Sequence, residues 1–232
     1  MSDGIWPAPQ KAITVHGFPW CLHERVIIGR RSLTTNRLCK RHNELLGEEV
    51  DREGIKLVKA FRESIGDAVT SEFNREHVIP KSFCFDGPQL ERWFLKTTIN
   101  LCITGVSQSL RWMGGQSISD NPPPDFVAAA FGKSTLSPPM GLYTAGAIGQ
   151  NADAGERIEF SPLMRADSIE GGMFTIMGFR FLLFMGNEAL PNHFKLPIAK
   201  SNNWSESYIA RHQASFSLII RGAQHTMEFL WK

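Results

Sequence analysis

Cys39, His42 and Asn43 stand within five residues of one another, in the segment LTTNRLCKRHNELLGEEVD at residues 33–51. A thiol, an imidazole and a carboxamide can all serve as donors to a divalent ion. An imidazole can also take a proton from water near neutral pH. The surrounding stretch is strongly basic, with Arg25, Arg30, Arg31, Arg37, Lys40 and Arg41 lying within 17 residues beside Glu24. A run of this kind is usually a solvated face. Next to donors that can hold an ion against a phosphate, it is instead the electrostatic footprint of a nucleic-acid backbone.

The elements that must position these groups can be read from periodicity. Residues 12–15 and 26–28 are rich in β-branched side chains and predict two short strands. Asn36 or an adjacent Thr caps a helix running through Leu46, with Gly47 as its stop. Apolar residues at Val50, Ile55, Val58, Phe61 and Ile65 predict a second helix, closed by Gly66. Residues 88–102 read as a third helix, capped by Asp86, with Leu90, Phe94, Thr97 and Leu101 on one face. On this helix Glu91, Arg92 and Lys96 have the spacing of surface salt pairs, while Trp93 and Phe94 belong to the core.

Beyond the Pro/Gly-rich segments NPPPD and KSTLSPPMG the pattern changes to strands. RIEFSPL alternates. MFTIMGFRFLLFM follows a turn expected at Gly171–Gly172, with a bulge or bend at Gly178, and SFSLIIRG and TMEFLWK have hairpin spacing. This half shows no cluster of titratable groups, and it reads as a scaffold or recognition sheet with its Phe and Trp residues in the core. The expected class is therefore α+β: an N-terminal ββα-type finger with helices over residues 1–120, a Pro/Gly-rich linker over 121–140, and an antiparallel β-rich domain over 141–232.

Composition bounds the partners. The chain has 232 residues, 42% of them hydrophobic, and 25 Lys plus Arg against 23 Asp plus Glu, so overall charge does not select a nucleic-acid partner and only local charge can. Four scattered cysteines do not make a disulfide framework. The opening MSDGIWPAPQ lacks the basic and apolar regions of a secretion signal, and residues 173–185 are too short and too interrupted to cross a bilayer. A cytoplasmic protein without membrane contact is expected.

The stretch CLHERVIIGRRSLTTNRLCKRHNELLG resembles the finger of the HNH nuclease superfamily. In that family an acid-His-hydrophobic-hydrophobic-Pro box is followed by a loop Asn, then by Leu-Cys-x-x-Cys/His-Asn/His on a helix. Leu38, Cys39, His42 and Asn43 match the helix end, and Asn36 stands at the loop Asn. The resemblance covers about 30 residues and implies a metal-dependent endonuclease, a hydrolase acting on DNA or RNA. It implies Mg²⁺ or another divalent ion on Glu24, His42 and Asn43, with a neutral histidine deprotonating water. The box departs from the family at Arg25, which occupies the place of the base, while His23 precedes Glu24.

A second phrase, NREHVIPKSF at residues 74–83, carries an intact Glu76-His77 box, but it follows the helix. It is either a coincidence of wording or a segment that brings His77 back beside His42 and Asn43, so both His23 and His77 are candidate bases. The resemblance further implies a structural Zn²⁺ on His16, Cys21, Cys39 and His42, or with Cys21 and His23 as the first pair. A rival from a different class keeps the finger only as a fold, in a catalytically inactive module that acts through protein contacts. Arg25 favours this rival.

Overall fold

The computed structural model of the chain describes residues 12–18, 21, 23–29, 40–74, 79–104, 110–118, 121–147, 158–188, 210–220 and 223–232. Three strands form its central meander: β6 (Ile158–Arg165), β7 (Ser168–Ile176) and β8 (Phe179–Phe184), each antiparallel to the next. Their alternation places Phe160, Phe174 and Phe181 opposite one another in a single row on one face. The β7–β8 turn is Met177-Gly178, both at positive φ, which is the geometry of a two-residue hairpin turn. Gly171 and Gly172 are not a turn but lie inside β7. A Cβ at Gly172 would come within 2.4 Å of the Phe160 ring, so the missing side chain lets that ring lie across the neighbouring strand.

The sheet extends on both sides. β8 pairs antiparallel with β5 (Gly141–Ala147), which pairs with the short β9 (Ala210–Arg211). On the other side β6 runs parallel to β1 (Ala12–Val15), and β1 pairs antiparallel with β2 (Val26–Gly29). The two-residue β4 (Arg111–Trp112) joins β7 in parallel. A second sheet is built from the hairpin β10 (Ser215–Ile220) and β11 (Ala223–Leu230), with β3 (Ser82–Asp86) parallel to β11.

Helices α1 (Lys40–Glu49), α2 (Asp51–Asn74), α3 (Gly87–Thr104) and α4 (Pro124–Ala130) complete the described elements. Asp86 caps α3 as expected, its Oδ1 accepting from the Gln89 N–H at 3.0 Å. Phe94 of α3 meets Phe174 edge-on at 4.9 Å and Phe181 at 5.2 Å. Phe61 of α2 stacks on Phe179 of the large sheet at 4.7 Å and on Phe216 of the small sheet at 6.4 Å, so α2 is wedged between the two. Burying each such ring contributes about 1.5–3 kcal/mol.

The α+β class holds, and within residues 141–232 every described strand pairing is antiparallel. The division at 121–140 is different. That segment carries α4, whose Phe126, Ala129 and Ala130 are buried, and the chain on either side shares one core. Strands from the first half pair in parallel with strands from the second, because two short strands alone cannot bury an apolar face. Both glycine stops are overrun: α1 passes through Gly47 and α2 through Gly66. No described helix is long and apolar enough to cross a membrane.

Candidate functional site

His23, Glu24 and Arg25 are exposed on the approach to β2. Arg25 does not face open solvent alone. Its Nη1 pairs with Glu159 of β6 at 3.2 Å, the two side chains being 63% and 15% exposed. Arg25 thus links the approach to β2 with the central sheet. His16 follows β1, and its backbone N–H donates to Phe160 O at 3.1 Å. Cys21 is part of the core, in a turn closed by its N–H on Phe18 O, and burial pushes its thiol up, with Glu24 adding to the rise. A zinc ligand must be a thiolate, so the neutral, buried Cys21 does not fit the proposed zinc set. Of the other residues named for the zinc set, Cys39 and the His42 side chain lie outside the described residues.

Arg30, Arg31, Asn36, Arg37, Cys39 and His77 lie outside the described residues. Lys40, Arg41, His42 and Asn43 form the first turn of α1 by their backbone, and their side chains lie outside as well. That turn contains no acid, whereas the first turn of α2 has Asp51 and Glu53. Among the described residues no group of three or more His, Cys, Asp or Glu is arranged to hold a metal ion.

A different cluster is fully assembled. Glu91, buried near the start of α3, accepts two hydrogen bonds on Oε2: from the Leu142 N–H of β5 at 2.7 Å and from His212 Nε2 at 2.7 Å. A carboxylate receiving Nε2–H fixes the tautomer and leaves Nδ1 as the basic nitrogen. The imidazole stacks on Trp231 with centroids 4.0 Å apart and planes 11° from parallel, and Trp231 Nε1 donates to Gln213 O at 2.9 Å. His212 stays 26% exposed, and its backbone is held at φ +50°, a conformation that costs energy for a non-glycine residue.

Around this pair the chain is drawn in tightly. Arg211 donates from Nε to Met140 O at 2.7 Å and from Nη2 to Leu136 O at 2.9 Å. Gly141 sits at φ +141°, and a Cβ there would meet Arg211 Nε at 2.7 Å, Glu91 Oε2 at 3.0 Å and His212 Nε2 at 3.2 Å. Only glycine fits at that point. Tyr143 donates its hydroxyl to Pro139 O at 2.5 Å; burial raises its pKa, with the nearby Glu91 raising and Arg211 lowering it. Thr144 donates its hydroxyl to Gln213 Oε1.

The three charges of α3 do not pair with one another, and Arg92 pairs with the half-exposed Glu49 of α1 at 3.4 Å. Glu91 turns to His212, and Lys96 is buried with Asp51 of α2 at 2.8 Å, the two side chains being 5% and 3% exposed. Arg92 donates to Ala130 O and to Gln89 Oε1. The second half of the chain does contribute titratable groups, Arg211 and His212, to a cluster. A signal for this existed in the wording LERWFLKTTINLC. A helix whose large apolar residues place it in the core carries its charges in with it, and these must find internal partners. The identity of those partners, 45 and 121 residues away, was not legible.

Compared with protein-family models, with curated proteins and with solved structures, the chain matches none.

Proposed function

We propose that the chain is a nuclease-derived protein that binds the phosphate backbone of DNA or RNA through its basic finger region, without metal-dependent cutting at the first box. The observation that carries this reading is the first turn of α1. Lys40 and Arg41 occupy it with no acid present, an arrangement that opposes the positive end of the helix dipole. A phosphate at this end would offset that cost, because a helix N-terminus and a locally basic sequence both favour an anion. Arg25, spent on Glu159, supports the absence of a base at the first box.

The two histidine-bearing boxes are read separately. α2 has 24 residues and α1 has 10, so from their shared turn they extend ~36 Å and ~15 Å, leaving Asn74 and Lys40 ~20 Å apart or more. Three further residues span about 10 Å at most and His77 lies outside the described residues, so His23 and His77 are kept as separate candidate bases.

The test is fluorescence polarisation with labelled DNA and RNA at low salt, beside a plasmid-nicking assay with Mg²⁺ and Mn²⁺. Binding without nicking is expected. Nicking that needs a divalent ion, and that is lost in Asn43→Ala together with His23→Ala or His77→Ala, would restore the metal-dependent phosphodiesterase. Failure to bind either nucleic acid would leave the module that acts through protein contacts.

A further inference from the structure

We propose that Arg180 of β8, on a sheet face it shares with Arg25, makes a second contact with a nucleic-acid phosphate. This rests on the reading of the chain as a nucleic-acid-backbone binder, and it says where beyond α1 the bound backbone is held. The register of five strands sets one row across the large sheet: Ile27 of β2, Thr14 of β1, Glu159 of β6, Thr175 of β7 and Arg180 of β8. On β6, β7 and β8 these positions alternate with Phe160, Phe174 and Phe181, so the row points away from the aromatic core. Ile27 at its end is 68% exposed, and the other four are half-buried.

Two cations and one acid meet on this face. Arg25 pairs with Glu159 at 3.2 Å. Arg180 stands two strands from Glu159, about 10 Å along the row. Among the described residues it makes no hydrogen bond or ion pair, and its Nε is buried without an acceptor. Burial disfavours its charge, and the field of Glu159 offsets that only in part. A buried donor without an acceptor is costly, and a guanidinium cannot escape the cost by losing its proton. An arriving anion supplies the acceptor. Two guanidiniums and one carboxylate leave one positive charge, which a single phosphodiester balances. The hydroxyl of Thr175, the register partner of Arg180, adds a neutral donor of the kind that accompanies Arg at nucleic-acid backbones. The face also continues the basic footprint, because Arg25 leads into β2 and Arg30 and Arg31 follow it in sequence.

The test is fluorescence polarisation of labelled DNA and RNA by the full chain across a salt series, with Arg180→Gln, Glu159→Gln and Glu188→Gln beside the parent. Arg180→Gln should weaken binding about tenfold, the worth of one charge-assisted hydrogen bond, on unrelated sequences alike. Its salt slope should become shallower by about 1. Glu159→Gln removes the acid that competes for both guanidiniums and should tighten binding. Glu188 is 76% exposed and pairs with Arg165 at the opposite end of β6, so Glu188→Gln measures what the loss of any surface acid does. Its gain should be the smaller. Tm values accompany each variant, and if Arg180→Gln does not fold, the comparison of the two Glu→Gln variants decides alone. An Arg180→Gln protein with parental affinity and slope overturns the contact while leaving the reading of α1 intact. So does a Glu159→Gln gain no larger than that of Glu188→Gln. A parent that binds neither nucleic acid at low salt removes both readings.

Discussion

His212 Nε2 and Glu91 Oε2 lie 2.7 Å apart although 121 residues separate them in the chain. One carboxylate oxygen thereby joins α3, β5 and the turn after β9. Replacing Glu91 by Ala removes the acceptor of the buried Leu142 N–H as well as the partner of His212. Leaving such a donor unsatisfied costs about 1–3 kcal/mol. Glu91→Ala should lower the urea midpoint accordingly with an unchanged m-value, and Glu91→Gln should lower it less. Equal midpoints for Glu91→Ala and the parent would show that the bond contributes nothing to stability.

Lys96 and Asp51 form an ion pair deep in the α2–α3 contact. Removing one member of a buried pair leaves the other uncompensated, which costs about 3–5 kcal/mol. Lys96→Met should therefore destabilise strongly, and adding Asp51→Asn to it should restore part of the loss. A double mutant no more stable than Lys96→Met would contradict this coupling. Calorimetric Tm values of the parent, Lys96→Met, Asp51→Asn and the double variant decide it.

Gly54 faces Trp93 across the same contact, and a Cβ there would lie 2.3 Å from the indole. Helix propensity alone favours Ala over Gly by about 1 kcal/mol. The clash outweighs it, because Trp93 is fully buried and its ring meets Phe94 edge-on at 4.7 Å, leaving it no room to retreat. Gly54→Ala should thus lower the Tm in spite of that gain. A Tm for Gly54→Ala at or above that of the parent would mean that the helices separate freely.

Tyr143 titrates above its ordinary value of about 10 because burial disfavours the phenolate. A group whose folded pKa is raised binds its proton more tightly in the folded state. Its contribution is complete below about pH 10 and is lost as pH rises through the folded value. Stability of the parent should therefore fall more steeply above pH 10 than that of Tyr143→Phe. Denaturant midpoints from pH 9 to 11 measure this, and parallel curves would contradict it.

Much of the fold was legible because it rests on local signals. The β-branched runs gave β1 and β2, the Asp86 cap gave the start of α3, and the hairpin spacing of SFSLIIRG and TMEFLWK gave β10 and β11. What escaped is non-local. Gly171-Gly172 reads as a turn, yet the space it leaves is filled by Phe160 from the adjacent strand. Gly47 and Gly66 read as helix ends, but both helices run through them, since a single Gly costs a helix only about 1 kcal/mol. The assembled cluster was missed for the same reason. Glu91 on α3 and His212 beside a two-residue strand share no local pattern, and only the pairing of β5 with β9 brings them together.

The central claim is that the basic start of α1 engages nucleic-acid phosphates, and the dependence of binding on salt tests it most directly. For a protein that neutralises phosphates, the logarithm of the association constant falls linearly with the logarithm of salt, with a slope of about 0.9 per contact on duplex DNA. The account predicts such a slope for the parent on unrelated sequences alike. It also predicts that Lys40→Glu with Arg41→Glu weakens binding uniformly and makes the slope shallower by about 2. No binding by the parent at low salt, or a slope that the double reversal leaves unchanged, would contradict it.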